Sequence, residues 1–318
     1  METNGQTIIA FGGGKGGTGK SFVSASVGTY LALQGNSVLM VDGDVGGANL
    51  HSFFGLSRPK VTVTDFFEKK VPLELLALET GITNLCLIAG DMKTMNSNNI
   101  SYSQKMSFFR HIRSIKADFV LIDLGAGTHL NTLDAFLMAD KMVMVITPEK
   151  TAIENMYHFV KNALFRKTER FHLENNMKSF FTNTYSNRKK MGIESIKDLT
   201  EYLLANSVKG KEFAAELETF SLYLILNKTT NCNDLQLGFS IKSILLKYLG
   251  LKTIYLGSIE DDDEHILKCL NDGNIFMQKY SSERSAKEVE SISSNLLNSR
   301  QPKIRELYNG WEQHRYVL

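Results

Sequence analysis

Cysteine is scarce: Cys86, Cys232 and Cys269 are the only three in 318 residues, and no two form a C-x-x-C pair. A disulfide-stapled scaffold is thereby excluded, and an odd, scattered set reads as reduced thiols, mostly of a core. Excess charge of one sign is also missing. The 36 Lys and Arg nearly balance the 34 Asp and Glu, leaving a net charge of +2. Bulk electrostatics therefore give no case for nucleic acid, although a local basic patch remains open. No uninterrupted apolar run approaches the length of a membrane span, and residues 1–6 are polar, without the apolar centre of a leader. Only 4 prolines interrupt the chain, and 43% of its residues are hydrophobic against 22% charged. Such a chain can bury a sizeable core without staples, as one large α/β domain or two smaller ones. The expectation is a cytoplasmic protein.

What is present begins near the start. Thr7-Ile8-Ile9-Ala10-Phe11 is rich in strand formers, and residues 22–34 read as a helix. Between them lies G-x-x-x-x-G-K-S, from Gly14 to Ser21, in the strand–loop–helix setting that a phosphate-binding loop requires. Gly14, Gly16, Gly17, Thr18 and Gly19 let successive backbone N–H groups turn inward around anionic oxygens. The following helix adds its unpaired N–H groups and its positive end. Lys20 is placed to set a cation on the β- and γ-phosphates of ATP, and the Ser21 hydroxyl to ligate Mg²⁺.

Two further stretches end in carboxylates. Residues 37–42 are a short β-rich run leading into Asp42-Gly43-Asp44, and residues 118–123 place four apolar residues before Asp123. Carboxylates at the C-terminal ends of strands sit on the ligand face of an open α/β sheet. Asp123 has the form of a Walker-B residue facing Mg²⁺ or its water shell. Gly127 lets the backbone approach a terminal phosphate and move as a switch.

The loop is similar to the deviant Walker A motif K-G-G-x-G-K-[ST] because Lys15 directly follows Gly14. On that motif and the two aspartate segments the chain resembles the MinD/ParA-type ATPases. Asp42-Gly43-Asp44-Val45-Gly46-Gly47-Ala48-Asn49-Leu50 is similar to the switch I segment of the MinD and FlhG/FleN branch, the latter being flagellar-number regulators. Leu124-Gly125-Ala126-Gly127 resembles the T-G-A-G of FlhG-like members, with Leu124 in place of Thr. The resemblance implies that Lys15 reaches nucleotide across a dimer, that Asp44 orients the attacking water, and that Glu149 nears the dimer seam. It implies that Asn227, ending the strand 222–226, contacts adenine; as a residue, Asn227 equally fits a turn. Gly257-Ser258-Ile259-Glu260-Asp261-Asp262 is similar to the base-side loop G-x-I-P-x-D, with Glu260 where proline is usual and Asp262 near the base. The scattered cysteines separate the chain from iron–sulfur carriers of the Mrp type. A strand starting at residue 7 leaves no DNA-binding domain before it, and no internal duplication of the arsenite-pump kind is visible.

The fold expected is α/β: a P-loop NTPase with a doubly wound, mostly parallel twisted sheet of about seven or eight strands, flanked by helices on both faces. Residues 1–298 form one domain in this reading. A short helix is expected over 72–78, a strand over 85–90, a polar loop over 91–99 and a helix over 103–115 with Met106, Phe109, Ile112 and Ile115 inward. Strands follow at 141–147 and 253–257, and helices from near 152 for about fifteen residues, then over 235–249 and 283–297. Residues 165–219 depart from a minimal unit. They carry Lys178, Arg188, Lys189, Lys190, Lys197 and Lys209 among others, and read as two or three short helices inserted on the fold. A solvated excursion is the simpler reading of them than a partner surface.

Residues 299–318 form a tail in which Ile304, Leu307, Tyr308 and Trp311 fall on one helical face, interrupted by Gly310. It is similar to the membrane-reaching C-terminal helix of MinD and FlhG, but a short apolar stripe of this kind more often docks on its own domain or on a second subunit, which is the favoured reading. The function expected is a slowly hydrolysing, Mg²⁺-dependent ATPase that homodimerises with ATP and acts as a positioning or flagellar-number switch. The resemblance names a signal-recognition-type GTPase or a transcriptional regulator as partner. An adaptor that holds nucleotide without cycling is the alternative. A tyrosine kinase of the same P-loop class ranks below it, since only Tyr308 and Tyr316 lie in the last 18 residues.

Overall fold

Short β-branched and aliphatic runs become strands that alternate between two apolar layers. Along β1 (Thr7–Gly12), Ile8 and Ala10 face one core, and Ile9 and Phe11 face the other. The same alternation holds in β2 (Val38–Gly43), where Leu39 and Val41 oppose Val38 and Met40. A strand buried on both faces needs helices on both faces, which is the parallel α/β arrangement. The computed structural model describes residues 5–44, 47–90, 102–303, 306 and 307.

Eight strands form one sheet in the order β3-β4-β2-β5-β1-β6-β7-β8. The others are β3 (Ala77–Glu79), β4 (Leu85–Ile88), β5 (Phe119–Leu124), β6 (Lys141–Ile146), β7 (Leu222–Thr229) and β8 (Thr253–Glu260). Every pair is parallel except β3 with β4. One face carries α1 (Lys20–Leu33), α11 (Phe276–Lys279) and α12 (Arg284–Leu297). The other carries α3 (Tyr102–Ser114), α4 (Leu130–Leu137), α5 (Lys150–Glu174) and α9 (Cys232–Leu249). Helix α2 (Val63–Lys69) precedes β3, and α10 (Asp263–Asp272) follows β8.

The stretch 72–78 is a 3-10 turn, Leu73–Leu75, followed by β3, rather than a helix. Pro72 stands before the turn, and Leu78 pairs antiparallel with Leu87. Strand β8 continues three residues past Gly257, where φ of +136° coincides with a shift in register against β7. As an edge strand β8 invites foreign pairing, and α12 blocks it. Asn295 Nδ2 donates to Leu256 O at 2.9 Å, and the Glu288 carboxylate accepts from Glu260 N at 2.7 Å. The 91–99 loop, Val45 and Gly46 of the switch segment, and the tail stripe apart from Leu307 lie outside the described residues.

Helix α5 has 25 residues, far beyond the fifteen that its sequence pattern indicates. Its first half packs on the sheet through Met156, Phe159 and Val160. Its second half meets a separate group, α6 (Lys178–Asn187), α7 (Ile196–Asn206) and α8 (Gly210–Glu218). Ser195 and Asp198 form a reciprocal cap at the start of α7, and Lys167 of α5 pairs with Glu216 of α8. These three helices bury Phe181, Leu199, Leu203 and Phe213 against α5 and α9, so they share the domain core.

At their centre His172 is fully buried, with ring centroids of Phe213 at 4.9 Å, Phe171 at 5.4 Å and Phe181 at 5.6 Å. Its Nδ1 lies 2.8 Å from Thr168 O, and Nε2 meets no partner. Burial lowers its pKa below the ordinary 6.5, against the opposing pull of the Thr168 carbonyl. The folded state thus resists a proton that the unfolded chain accepts. Stability is full above the unfolded pKa and is lost as pH falls below it toward the depressed folded value. Urea midpoints should therefore drop between neutral pH and about pH 5, and the drop should be smaller in His172→Phe. An equal drop in both proteins would remove His172 from the account.

Candidate functional site

The site is built on the N-terminus of α1. Gly19, its N-cap, has φ of +81° and no side chain to cap the helix, so the first-turn N–H groups are left for an incoming anion. Gly14 is held where no side chain fits: a Cβ there would stand 2.1 Å from Asn155 O of α5. Gly14→Ala should therefore displace the loop or α5, at a cost of about 1–3 kcal/mol. A urea midpoint equal to wild type would contradict that close approach.

Asn227, at the end of β7, is buried and donates from Nδ2 to Thr18 O at 2.9 Å. The same atom would be 2.2 Å from a Cβ on Gly19. It braces the loop from beneath, a contact across 209 residues that no local pattern announces. Lys20 is 7% exposed, its aliphatic stem covered by Gly13. Ser21 donates to Asp123, whose carboxyl is pushed up to about 7, chiefly by burial and then, in the opposite sense, by that hydrogen bond. Asp123 Oδ1 and Thr18 Oγ1 are buried with no partner among the described residues.

Asp42 lies directly beside Asp123 in the β2–β5 register. Burial raises its pKa to about 6. Its Oδ1 accepts from Asp44 N at 3.1 Å and its Oδ2 from Leu50 N at 3.0 Å, so both ends of the switch I segment are tied to one carboxylate. The sequence reading passed over this role. Asp44 points toward the neighbouring loop: a Cβ at Gly125 would be 2.6 Å from its Oδ1. The two switch segments thus touch through a glycine that leaves room for the carboxylate. Gly127, with φ of +96°, is in the region that favours glycine.

Lys15 lies on the same rim, turned toward α5. Its Nζ donates to Glu149 Oε2 at 2.7 Å and to Thr151 Oγ1 at 3.2 Å. Both acceptors stand at the α5 N-terminus, and Lys15 holds the Glu149 carboxyl below its usual range. The pair is half exposed and therefore easily exchanged. Asp262 lies at the ends of β7 and β8, where its oxygens already face His265 Nδ1 at 2.7 Å and the Ser285 hydroxyl. Lys228, with φ of +57°, pairs with Asp263 beside it.

The donor set fits a hard cation. A buried carboxylate oxygen without a partner stands beside a hydroxyl, next to a cradle for phosphate that completes the shell. Among the described residues no three His, Cys, Asp or Glu side chains cluster as a metal cage. Mg²⁺ bound by few protein oxygens needs none.

Fold and loop together define an α/β P-loop nucleotide-binding protein. The family model described as "ParA: NUBPL iron-transfer P-loop NTPase" matches residues 4–208. The chain belongs to that family, the MinD/ParA-type ATPases. It is 27% identical over 294 residues to the septum site-determining protein MinD of Helicobacter pylori, covering 91% of this chain and 90% of that protein. It is 34% identical over 172 residues to the flagellum site-determining protein YlxH of the same organism, covering 53% of this chain and 57% of that one. For a putative MinD of Chlorella vulgaris the match is 32% over 152 residues, covering 47% and 54%. The match thus spans little more than half the length of these last two relatives. Pyrococcus furiosus cell division ATPase MinD superposes with a TM-score of 0.61 at 20% identity, covering 92% of this chain and 99% of that one. At that identity the likeness speaks for the fold. MinD-named and flagellum-named relatives both match, so the comparisons do not separate the two branches. No helix among the described residues is long and apolar enough to cross a membrane.

Proposed function

We propose that this chain binds ATP with Mg²⁺, hydrolyses it slowly and uses the cycle to switch between a single chain and a homodimer. The observation that carries the reading is the buried Asp123, hydrogen-bonded by the partly exposed Ser21, beside Lys20 at an uncapped helix start. Asp123 and Ser21 would hold Mg²⁺, which supplies charge neutralisation at the phosphate oxygens. Loop N–H groups and Lys20 bind and orient the phosphates. Asp44, carried on a segment fixed by Asp42, orients the attacking water from the opposite rim.

Lys15 gives the switch its two positions. In the single chain its ammonium rests on Glu149 and Thr151. In the dimer it would leave them for the partner's nucleotide, adding a cation where charge develops on the leaving group. Exchanging one exposed ion pair for another costs little, so bound nucleotide decides between them. Asn227 and Asp262 belong to the base side in this reading, with Asn227 acting through Thr18.

The dimer would present a surface to a regulatory protein in the cytoplasm, in a positioning role or in control of flagellar number. The iron-transfer part of the family description is not carried over, because the three cysteines are far apart in sequence. Capture of proteins on Asp44→Ala with ATP, against wild type with ADP, tests the switch. One partner should be enriched in the ATP form. Equal recovery from both would favour an adaptor that holds nucleotide without cycling.

A further inference from the structure

We infer that a cavity behind the two switch segments binds a small organic cation with an aromatic body, and that this occupant restrains Asp44. The cavity lies between α2, α3 and α4, over the ends of β2 and β5. Its volume is about 220 Å³. An apolar cavity of about 150 Å³ already admits benzene, so one ring with a short side arm fits here.

The inner wall is apolar and preformed. Ile122 and Leu124 project from β5 into this layer, and Phe67, Phe108 and Phe109 complete the wall. The Phe67 and Phe108 ring centres are 5.3 Å apart and those of Phe108 and Phe109 5.7 Å, so the rings brace one another. Gly43 and Gly125 line the strand ends without side chains that would close the space. A guest ring would join the aromatic cluster and release water from apolar surface.

The mouth sets the charge of the guest. Asp42 and Asp44 stand at it, and among the described residues no Lys or Arg lines the cavity. The Asp42 oxygens are engaged by Asp44 N and Leu50 N. Among the described residues nothing donates to the Asp44 carboxylate. An ammonium at the mouth would donate to Asp44 while its ring fills the wall below, whereas an anion would meet like charge. Asp44 so engaged no longer turns to the attacking water, and hydrolysis slows while the phosphate loop still holds ATP. This consequence rests on the role proposed for Asp44; the binding of the cation does not.

Calorimetry on the full chain with phenethylamine, phenethyl alcohol and phenylacetate reads the cavity without ATP. The amine is expected to bind about tenfold or more tightly than the alcohol, and phenylacetate not at all. Ala135→Leu and, separately, Thr132→Leu fill the cavity from α4 and should each weaken amine binding about tenfold or more, with melting temperatures kept. Asp44→Asn should erase the preference for amine over alcohol. Equal affinity for all three compounds, amine binding unchanged in both filled variants, or no binding at all would overturn the site. In a phosphate-release assay the amine should slow the wild type and spare Ala135→Leu. An unslowed wild type, or equal slowing of both proteins, would overturn the restraint on Asp44. Absence of hydrolysis before any amine is added would fall on the proposed ATPase instead, and calorimetry would still decide the cavity.

Discussion

Asp44→Ala is expected to retain ATP and to hydrolyse it about 10²–10⁴-fold more slowly than wild type. The expectation follows from how the carboxylate is held. Asp42 fixes the backbone N–H of Asp44 at 3.1 Å, and Gly125 leaves the room its side chain occupies. Removing the carboxylate therefore deletes a water-orienting group without touching Lys20, Ser21 or Asp123. Phosphate release measured alongside nucleotide retention separates the two effects. Turnover at the wild-type rate would show that water is oriented by another group.

Lys20→Ala should act on binding rather than on chemistry. Charge-assisted hydrogen bonds contribute about 1.5–3 kcal/mol each, so losing them should weaken ATP binding about 100-fold. A second consequence follows in the apo protein. Lys20 is among the groups that hold down the carboxyl of Asp123, which burial already drives to about 7. Without that cation Asp123 should hold its proton to higher pH, and Mg²⁺ should compete less well for it. Calorimetric titration with Mg²⁺ and ATP checks the first effect. Unaltered affinity in a folded Lys20→Ala would remove the phosphate-binding role from this loop.

The parts legible in the sequence are those whose meaning is local. Gly14 to Ser21 reads as a phosphate loop because strand, loop and helix adjoin it, and Asp123 reads as a strand-end carboxylate because apolar residues precede it. The two-faced burial of the strands follows from their continuous apolar runs. What escaped is carried by contacts between distant segments. Lys15 meets Glu149 across 134 residues and Thr151 across 136, and Asn227 meets Thr18 across 209. Asp42 looked like the first half of a motif, and only the fold shows it tying Asp44 to Leu50. The second half of α5 was missed because its buried rings, Phe171 and His172, pack on α6 and α8 and not on the sheet. Residues 72–78 read as a short helix, yet the chain takes one turn and pairs with β4.

The central claim is that ATP converts a single chain into a homodimer through Lys15. Light scattering on the Asp44→Ala protein measures this directly, because slowed hydrolysis keeps ATP in place. The account predicts the mass of one chain with ADP and of two with ATP, and one chain again with ATP when Lys15→Ala is added. A single-chain mass in both nucleotides, or an ATP dimer indifferent to Lys15, would contradict it.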